Sequence, residues 1–201
     1  YWLIYLKNFY SLIKVNLFEF KNNSDNYFAY CGSIDYVLEI RMLILAFLKL
    51  NNEYDLVLVI GGDLKKIQIL KNDIKKYKNI KILSKISNED LSLIYSNAKA
   101  LLLPLKDNIQ NNYRFPQKIS EYASHSGYII TNKVGDIPSF FDKDVSIIYC
   151  EYSIKGFSKA LANTLIDDNY NLIKKGSFNV FEKHFNPFIY TKKTELFLNK
   201  I

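Results

Sequence analysis

The chain has 201 residues, 49% of them hydrophobic and 23% charged, with a formal net charge of +7. That length and balance suit one well-buried α/β-sized domain and exclude a disordered or fibrous protein. The charge suits anionic ligands, membrane surfaces or nucleic acid alike, and lysines such as Lys65, Lys66, Lys71, Lys75, Lys76, Lys78 and Lys81 read as a solvated surface.

The opening segment, YWLIYLKNFYSLIKVNLFEF, is aromatic and apolar, but Lys7 and Lys14 interrupt it well short of the ~20 apolar residues of a membrane span. It also lacks the small-residue cleavage site of a secretory signal. Two readings remain for residues 1–24: a helical or linking segment that packs on a further domain, or an interfacial membrane contact. With Tyr1 as first residue, the chain reads as part of a longer polypeptide, and residues 25–201 as a Rossmann-like domain with C-terminal helices.

After the polar break KNNSDN, short apolar runs alternate with amphipathic stretches, as in βαβ units on a parallel sheet. A first strand covers 27–31, Gly32 turns the chain, and apolar residues at helical spacing follow over 37–50. A second strand at 56–60 ends in Gly61-Gly62-Asp63, where backbone amides can approach a phosphate before a lysine-rich helix at 64–76. The third strand is 80–83; Ser87 with Asp90 then forms a capping-box pattern for a helix that buries Leu91, Ile94 and Tyr95. The fourth strand, 100–103, stops at Pro104 and leads into a polar loop of about ten residues, a length that is often functional.

Residues 111–136, NNYRFPQKISEYASHSGYIITNKVGD, carry the densest chemistry. Pro116 suits the first turn of a helix, Arg114 and Lys118 bring positive charge to that helix's start, and Glu121 follows one turn later. A buried strand at 128–131 precedes Gly135 and Asp136, at the edge of a parallel sheet where ligands bind. A short strand at 145–149 and helices over 153–167, 170–184 and 187–199 complete a Rossmann-like, doubly wound parallel sheet of five or six strands with C-terminal helices.

Neither a Gly-x-Gly-x-x-Gly fingerprint nor a Gly-x4-Gly-Lys-Ser/Thr loop is present, which argues against a standard dehydrogenase or P-loop enzyme. Cys31 and Cys150 form no Cys-x-x-Cys pair and point to a reducing, cytosolic compartment. His125 and His184 are in no metal-ligand spacing, so no metal site is expected.

Five stretches in order, YCGSID, VLVIGGD, ISNEDLSLIYSNAKALLLPL, FPQKISEYASHSG and ITNKVGDIPSFF, resemble the C-terminal, donor-binding domain of group 1 (family 4 type) glycosyltransferases with the GT-B fold. The resemblance extends over residues 27–167. It implies a nucleoside diphosphate sugar as donor, a glycan or lipid-linked acceptor, retention of anomeric configuration and no metal or cofactor. It also implies a missing N-terminal acceptor-binding domain, a cytoplasmic site at or near the membrane's inner face, and a role in surface polysaccharide synthesis.

Residue by residue, Glu121 matches the second glutamate of the family's Glu-x7-Glu motif, which hydrogen-bonds the donor ribose, while Tyr113 stands where the first would be. The family's basic pair falls on Ser33 and Leu38, so the resemblance leaves diphosphate neutralisation to Arg114 and Lys118 of the Arg-Phe-Pro-x-Lys variant, with Arg41 as a further cation. Gly32 and Gly61 provide close backbone approach, and no side chain is assigned as catalytic. Two alternatives remain: a degenerate domain that keeps the fold as a binding module, and a nucleic-acid-binding α/β domain supported only by the charge.

Overall fold

Apolar runs too short for helices and covered on both sides make a parallel sheet. The structure, a computed structural model, describes residues 26–50 and 53–198, so the expectation for residues 1–24 lies outside the described residues. Its strands are β1 (Tyr27–Ser33), β2 (Asp55–Gly61), β3 (Ile80–Leu83), β4 (Ala100–Leu103), β5 (Ile129–Thr131) and β6 (Ile148–Tyr149). All pair in parallel, in the order β3-β2-β1-β4-β5-β6. Phe28 of β1 lies opposite Leu56 of β2 on one side and Ala100 of β4 on the other. The chain thus winds outward from β1 to β3, returns to the far side of β1 and winds outward again, the doubly wound arrangement expected from the sequence.

The helices are α1 (Val37–Phe47), α2 (Leu64–Ile74), α3 (Asn88–Asn97), a single turn α4 (Ile109–Asn112), α5 (Gln117–Ser124), α6 (Ile154–Thr164), α7 (Tyr170–Val180) and α8 (Phe188–Leu198). Several starts follow from short polar side chains. Asp63 accepts from the amides of Lys65 and Lys66, Ser87 from Asp90, and Ser153 from Gly156, each satisfying an orphan N–H of a first turn. None of the described helices is long and apolar enough to cross a membrane.

Two apolar clusters sandwich the sheet. One side gathers Ile40, Leu43 and Phe47 of α1, Ile67 and Leu70 of α2, and Phe157 and Leu161 of α6 against Phe28, Leu58 and Leu102. The other gathers Ile94 and Tyr95 of α3 with Ile119 and Tyr122 of α5 against Ala29, Val57 and Leu101. Burial on both faces explains why β1, β2 and β4 carry continuous apolar runs, 27–31, 56–60 and 100–103, instead of alternating.

The structure shifts some expected boundaries. Pro116 is the residue before α5, with extended backbone, and not its first helical residue. The strand expected at 145–149 shrinks to two residues because residues 142–147 turn instead: Asp144 has φ 57, its amide donates to the carbonyl of Ile147, and Ser146 Oγ accepts from the amide of Asp142. The helix expected at 170–184 loosens at Phe181–Phe185 into a π-turn, which lays Phe185 against Phe115, Phe140 and Phe141.

Leu102 is fully buried in the first of these clusters, whereas Leu38 is 74% exposed. In urea unfolding, Leu102→Ala should lower the unfolding free energy by about 2–5 kcal/mol, and Leu38→Ala should change it by no more than about 0.5 kcal/mol.

Candidate functional site

Where the winding reverses, β1 and β4 stop pairing after Tyr30 and Leu102 and no strand fills the gap beyond. The Tyr122 side chain, fully buried, bridges the split: its hydroxyl accepts from the amide of Cys31 at 3.0 Å and donates to the carbonyl of Leu102 at 3.4 Å. Burial holds this phenol far above its ordinary pKa, so it remains a donor. Above it opens a crevice of about 550 Å³, lined by the turn after β1, the chain after β4 and the start of α5. In open α/β sheets this reversal point at the carboxyl edge is where ligands bind.

Polar chemistry enters the crevice from α5. Ile119, Tyr122 and Ala123 hold one face of that helix in the core, and the three-residue spacing leaves Lys118 and Glu121 together on another. Lys118 Nζ pairs with Glu121 Oε2 at 2.5 Å and donates to the Tyr95 hydroxyl at 3.3 Å. The Lys118 and Glu121 side chains are 32% and 41% exposed, so the pair stands at the wall of the cavity and not beneath it.

Arg114 ties the loops on either side. Its Nε donates to Asn111 Oδ1 at 3.1 Å and its Nη1 to the Tyr36 hydroxyl at 3.2 Å, so it joins the chain after β4 to the turn after β1. Asn111 is itself buried and donates to the carbonyl of Lys106. Gly135, at φ 56, passes so close that a Cβ would sit 2.7 Å from the carbonyl oxygen of Asn111. Glu39 of α1 brings a second carboxylate to the wall, where it accepts from the Tyr152 hydroxyl at 2.9 Å.

Of the residues singled out by sequence, Glu121, Lys118, Arg114 and Gly32 come together in this crevice. A Cβ on Gly32 would meet the ring and hydroxyl of Tyr30, so a side chain there would displace the cavity's own lining. Gly61 and Tyr113 do not join them. Gly61 lies one strand over, opposite Ser33 and outside the lining, because the crevice opens on the β4 side of β1. Tyr113 is 88% exposed at the end of α4, whose single turn directs it away from the cavity lining.

Arg41 is also elsewhere, paired with Asp73 of α2 at 2.5 Å. Ser33 caps the short turn at Ile34–Tyr36, so the two positions expected to be basic provide a turn hydroxyl and, at Leu38, an exposed apolar side chain. Sequence reasoning missed Tyr36, Asn111, Tyr122 and Glu39. Tyr36, Tyr122 and Glu39 meet partners from distant segments that no local spacing signals, whereas Asn111 is set by local bonds to Lys106 and Arg114.

A larger groove of about 850 Å³ borders β6, α6 and α7. Its lysines, Lys143, Lys155 and Lys159, are balanced by Asp144, Glu151 and Asp167. It also lies away from the strand reversal, so the smaller crevice is the better site.

The profile of the family described as "Glycosyl transferases group 1" matches residues 16–176. Among solved structures, the chain is similar to sucrose-phosphate synthase from Thermosynechococcus elongatus, at 18% identity and a TM-score of 0.72, over 87% of this chain and 45% of that one. It is similar to Anabaena HepE in complex with UDP and glucose, at 13% identity and a TM-score of 0.69, over 89% and 49%. The C-terminal domain of the group 1 family protein LpcC from Francisella tularensis is similar at 14% identity and a TM-score of 0.64, over 85% and 92%. At these identities the likeness is one of fold, and the chain spans about half the length of the first two structures. No curated protein sequence matches the chain.

Tyr122→Phe leaves the Cys31 amide without its buried acceptor, and urea unfolding should show a loss of about 1–3 kcal/mol. Burial also raises the phenols of Tyr30, Tyr95 and Tyr122 above the ordinary value of 10.0, so the unfolded chain releases these protons first. Unfolding free energy contributed by these groups should therefore be intact below about pH 10 and fall as pH rises further. Absorbance of tyrosinate should show them ionising together with unfolding.

Proposed function

This chain belongs to the group 1 glycosyl transferases, and on that premise we propose that it is the donor-binding half of an enzyme that transfers a sugar from a nucleoside diphosphate to a glycan or lipid-linked acceptor. The observation that carries this reading is the convergence of Glu121, Lys118, Arg114 and Gly32 in one crevice at the strand reversal. The two acceptor oxygens of Glu121 suit the vicinal diol of a ribose. Lys118 and Arg114 suit the diphosphate, on which negative charge grows as the glycosidic bond breaks. The HepE structure with UDP and glucose supports the choice of donor class.

Both roles require the Lys118–Glu121 pair to open. A partly exposed ion pair of this kind contributes about 0.2–1 kcal/mol, less than the about 1.5–3 kcal/mol of a hydrogen bond to a charged group. A donor that offers the diol to Glu121 and phosphate oxygens to Lys118 therefore outcompetes the pair. Arg114, held by Asn111 and Tyr36, presents charge from a fixed position.

We further infer retention of anomeric configuration, hexosyl transfer without a metal, a cytoplasmic site and a role in surface polysaccharide synthesis. Retention and metal independence rest on the family resemblance, the compartment on Cys31 and Cys150 without a Cys-x-x-Cys pair, and the polysaccharide role on the Arg-Phe-Pro-x-Lys stretch. Positioning of donor and acceptor would supply much of the rate, and because the acceptor would be held by a further domain, this half alone should be inactive. A second reading, a degenerate binding module, is favoured by the uncharged Ser33 and Leu38 and by the position of Tyr113 outside the cavity lining.

Calorimetry separates the two. The donor reading expects UDP or GDP to bind more tightly than about 1 mM, and Glu121→Ala to weaken that binding about tenfold or more. Absent or millimolar binding of both nucleotides, unaffected by Glu121→Ala, would leave only the binding module.

A further inference from the structure

The positive charge is not spread evenly. Residues 65–78 hold six lysines against the single carboxylate of Asp73, a net +5 of the chain's +7, so all the remaining residues together carry only +2. Asp73 is taken by Arg41, and of the lysines Lys66 is taken by Asp35. Among the described residues, Lys65, Lys71, Lys75, Lys76 and Lys78 have no carboxylate partner.

Helical spacing sorts these side chains. Ile67, Leu70 and Ile74 form the stripe of α2 packed on the sheet. Lys65, Ile69 and Asn72 lie on the opposite side, flanked by Leu64 and Gln68, and Lys75, Lys76 and Lys78 follow in the exposed turn past the helix's end. Two large apolar residues therefore stand among the outward lysines: Leu64 is 53% exposed and Ile69 59%. A purely solvated face gains nothing from them.

We propose that the outer face of α2, together with the lysine-bearing turn that follows it, docks on a membrane surface bearing anionic phospholipid headgroups. Clustered lysines around apolar side chains match the two components of such a surface, headgroup charge and the acyl boundary. Nucleic acid fits less well, since this face has no arginine for bidentate phosphate contacts and no outward aromatic for base stacking. α2 also starts from the carboxyl edge of the sheet, the edge that bears the crevice, so docking would hold the candidate site near a lipid-borne acceptor. The docking itself does not depend on what the crevice binds.

Cosedimentation of the chain with vesicles tests this at about 0.1 M salt, using phosphatidylcholine alone and phosphatidylcholine with about one third phosphatidylglycerol. Binding should require the anionic lipid. The triple variant Lys65→Glu/Lys75→Glu/Lys76→Glu should lose about tenfold or more in partitioning, and the neutral triple Lys65→Gln/Lys75→Gln/Lys76→Gln a smaller amount, with helical circular dichroism kept. Lys155→Glu/Lys159→Glu/Lys175→Glu makes the same change in net charge on α6 and α7 and should lose less than about threefold. Equal losses in the two glutamate triples, unchanged binding in both α2 triples, binding to phosphatidylcholine alone, or displacement from anionic vesicles by single-stranded RNA in the wild type would each overturn the proposal.

Discussion

Everything at the candidate site depends on the separation of β1 from β4 and on the buried hydroxyl that spans it. Past Tyr30 and Leu102 the two strands no longer pair with each other. An unmet amide at that depth is costly, so the split can persist only where something else accepts from Cys31. Tyr122 does so from α5, and the same helix then carries Lys118 and Glu121 at the cavity wall. The bond that closes the core also fixes the helix that furnishes the site.

A second constraint is the frame around the crevice. Arg114 connects Asn111 to Tyr36, Asn132 accepts from the amide of Leu105 and donates to the carbonyl of Cys150, and Gly135 passes against the backbone of α4 without room for a side chain. These contacts hold three loops from separate parts of the chain. Positioned groups of this kind suit chemistry that relies on orientation and on charge placed where it develops. They also divide the cations: Arg114 is committed to the frame, whereas Lys118 is held mainly by a partly exposed pair.

Much of the fold was legible because local rules sufficed. Strand positions followed from uninterrupted apolar runs, and the cap at Ser87 is a local hydrogen bond that its residue type favours. Glu121 and Lys118 were legible as neighbours because three residues in a helix bring side chains to one face. Gly61, Tyr113 and Arg41 were not. Whether a residue after a strand reaches the crevice depends on which side of β1 its strand pairs, and the exposed orientation of Tyr113 depends on the single turn of α4. Arg41 was drawn to Asp73, a residue 32 positions away that no spacing rule connects to it. The tyrosine hydroxyls were silent for the same reason, since an aromatic in an apolar run does not reveal where its polar end points.

The central claim, that the crevice between β1 and β4 is a nucleotide site, is tested most directly by mapping amide chemical shifts of the labelled chain during titration with UDP and, separately, GDP. The account predicts that one of them shifts amides clustered at residues 31–36, 103–105 and 114–121, with the groove beside β6 unaffected. Shifts centred on residues 143–169, or no clustered shifts with either nucleotide, would contradict it.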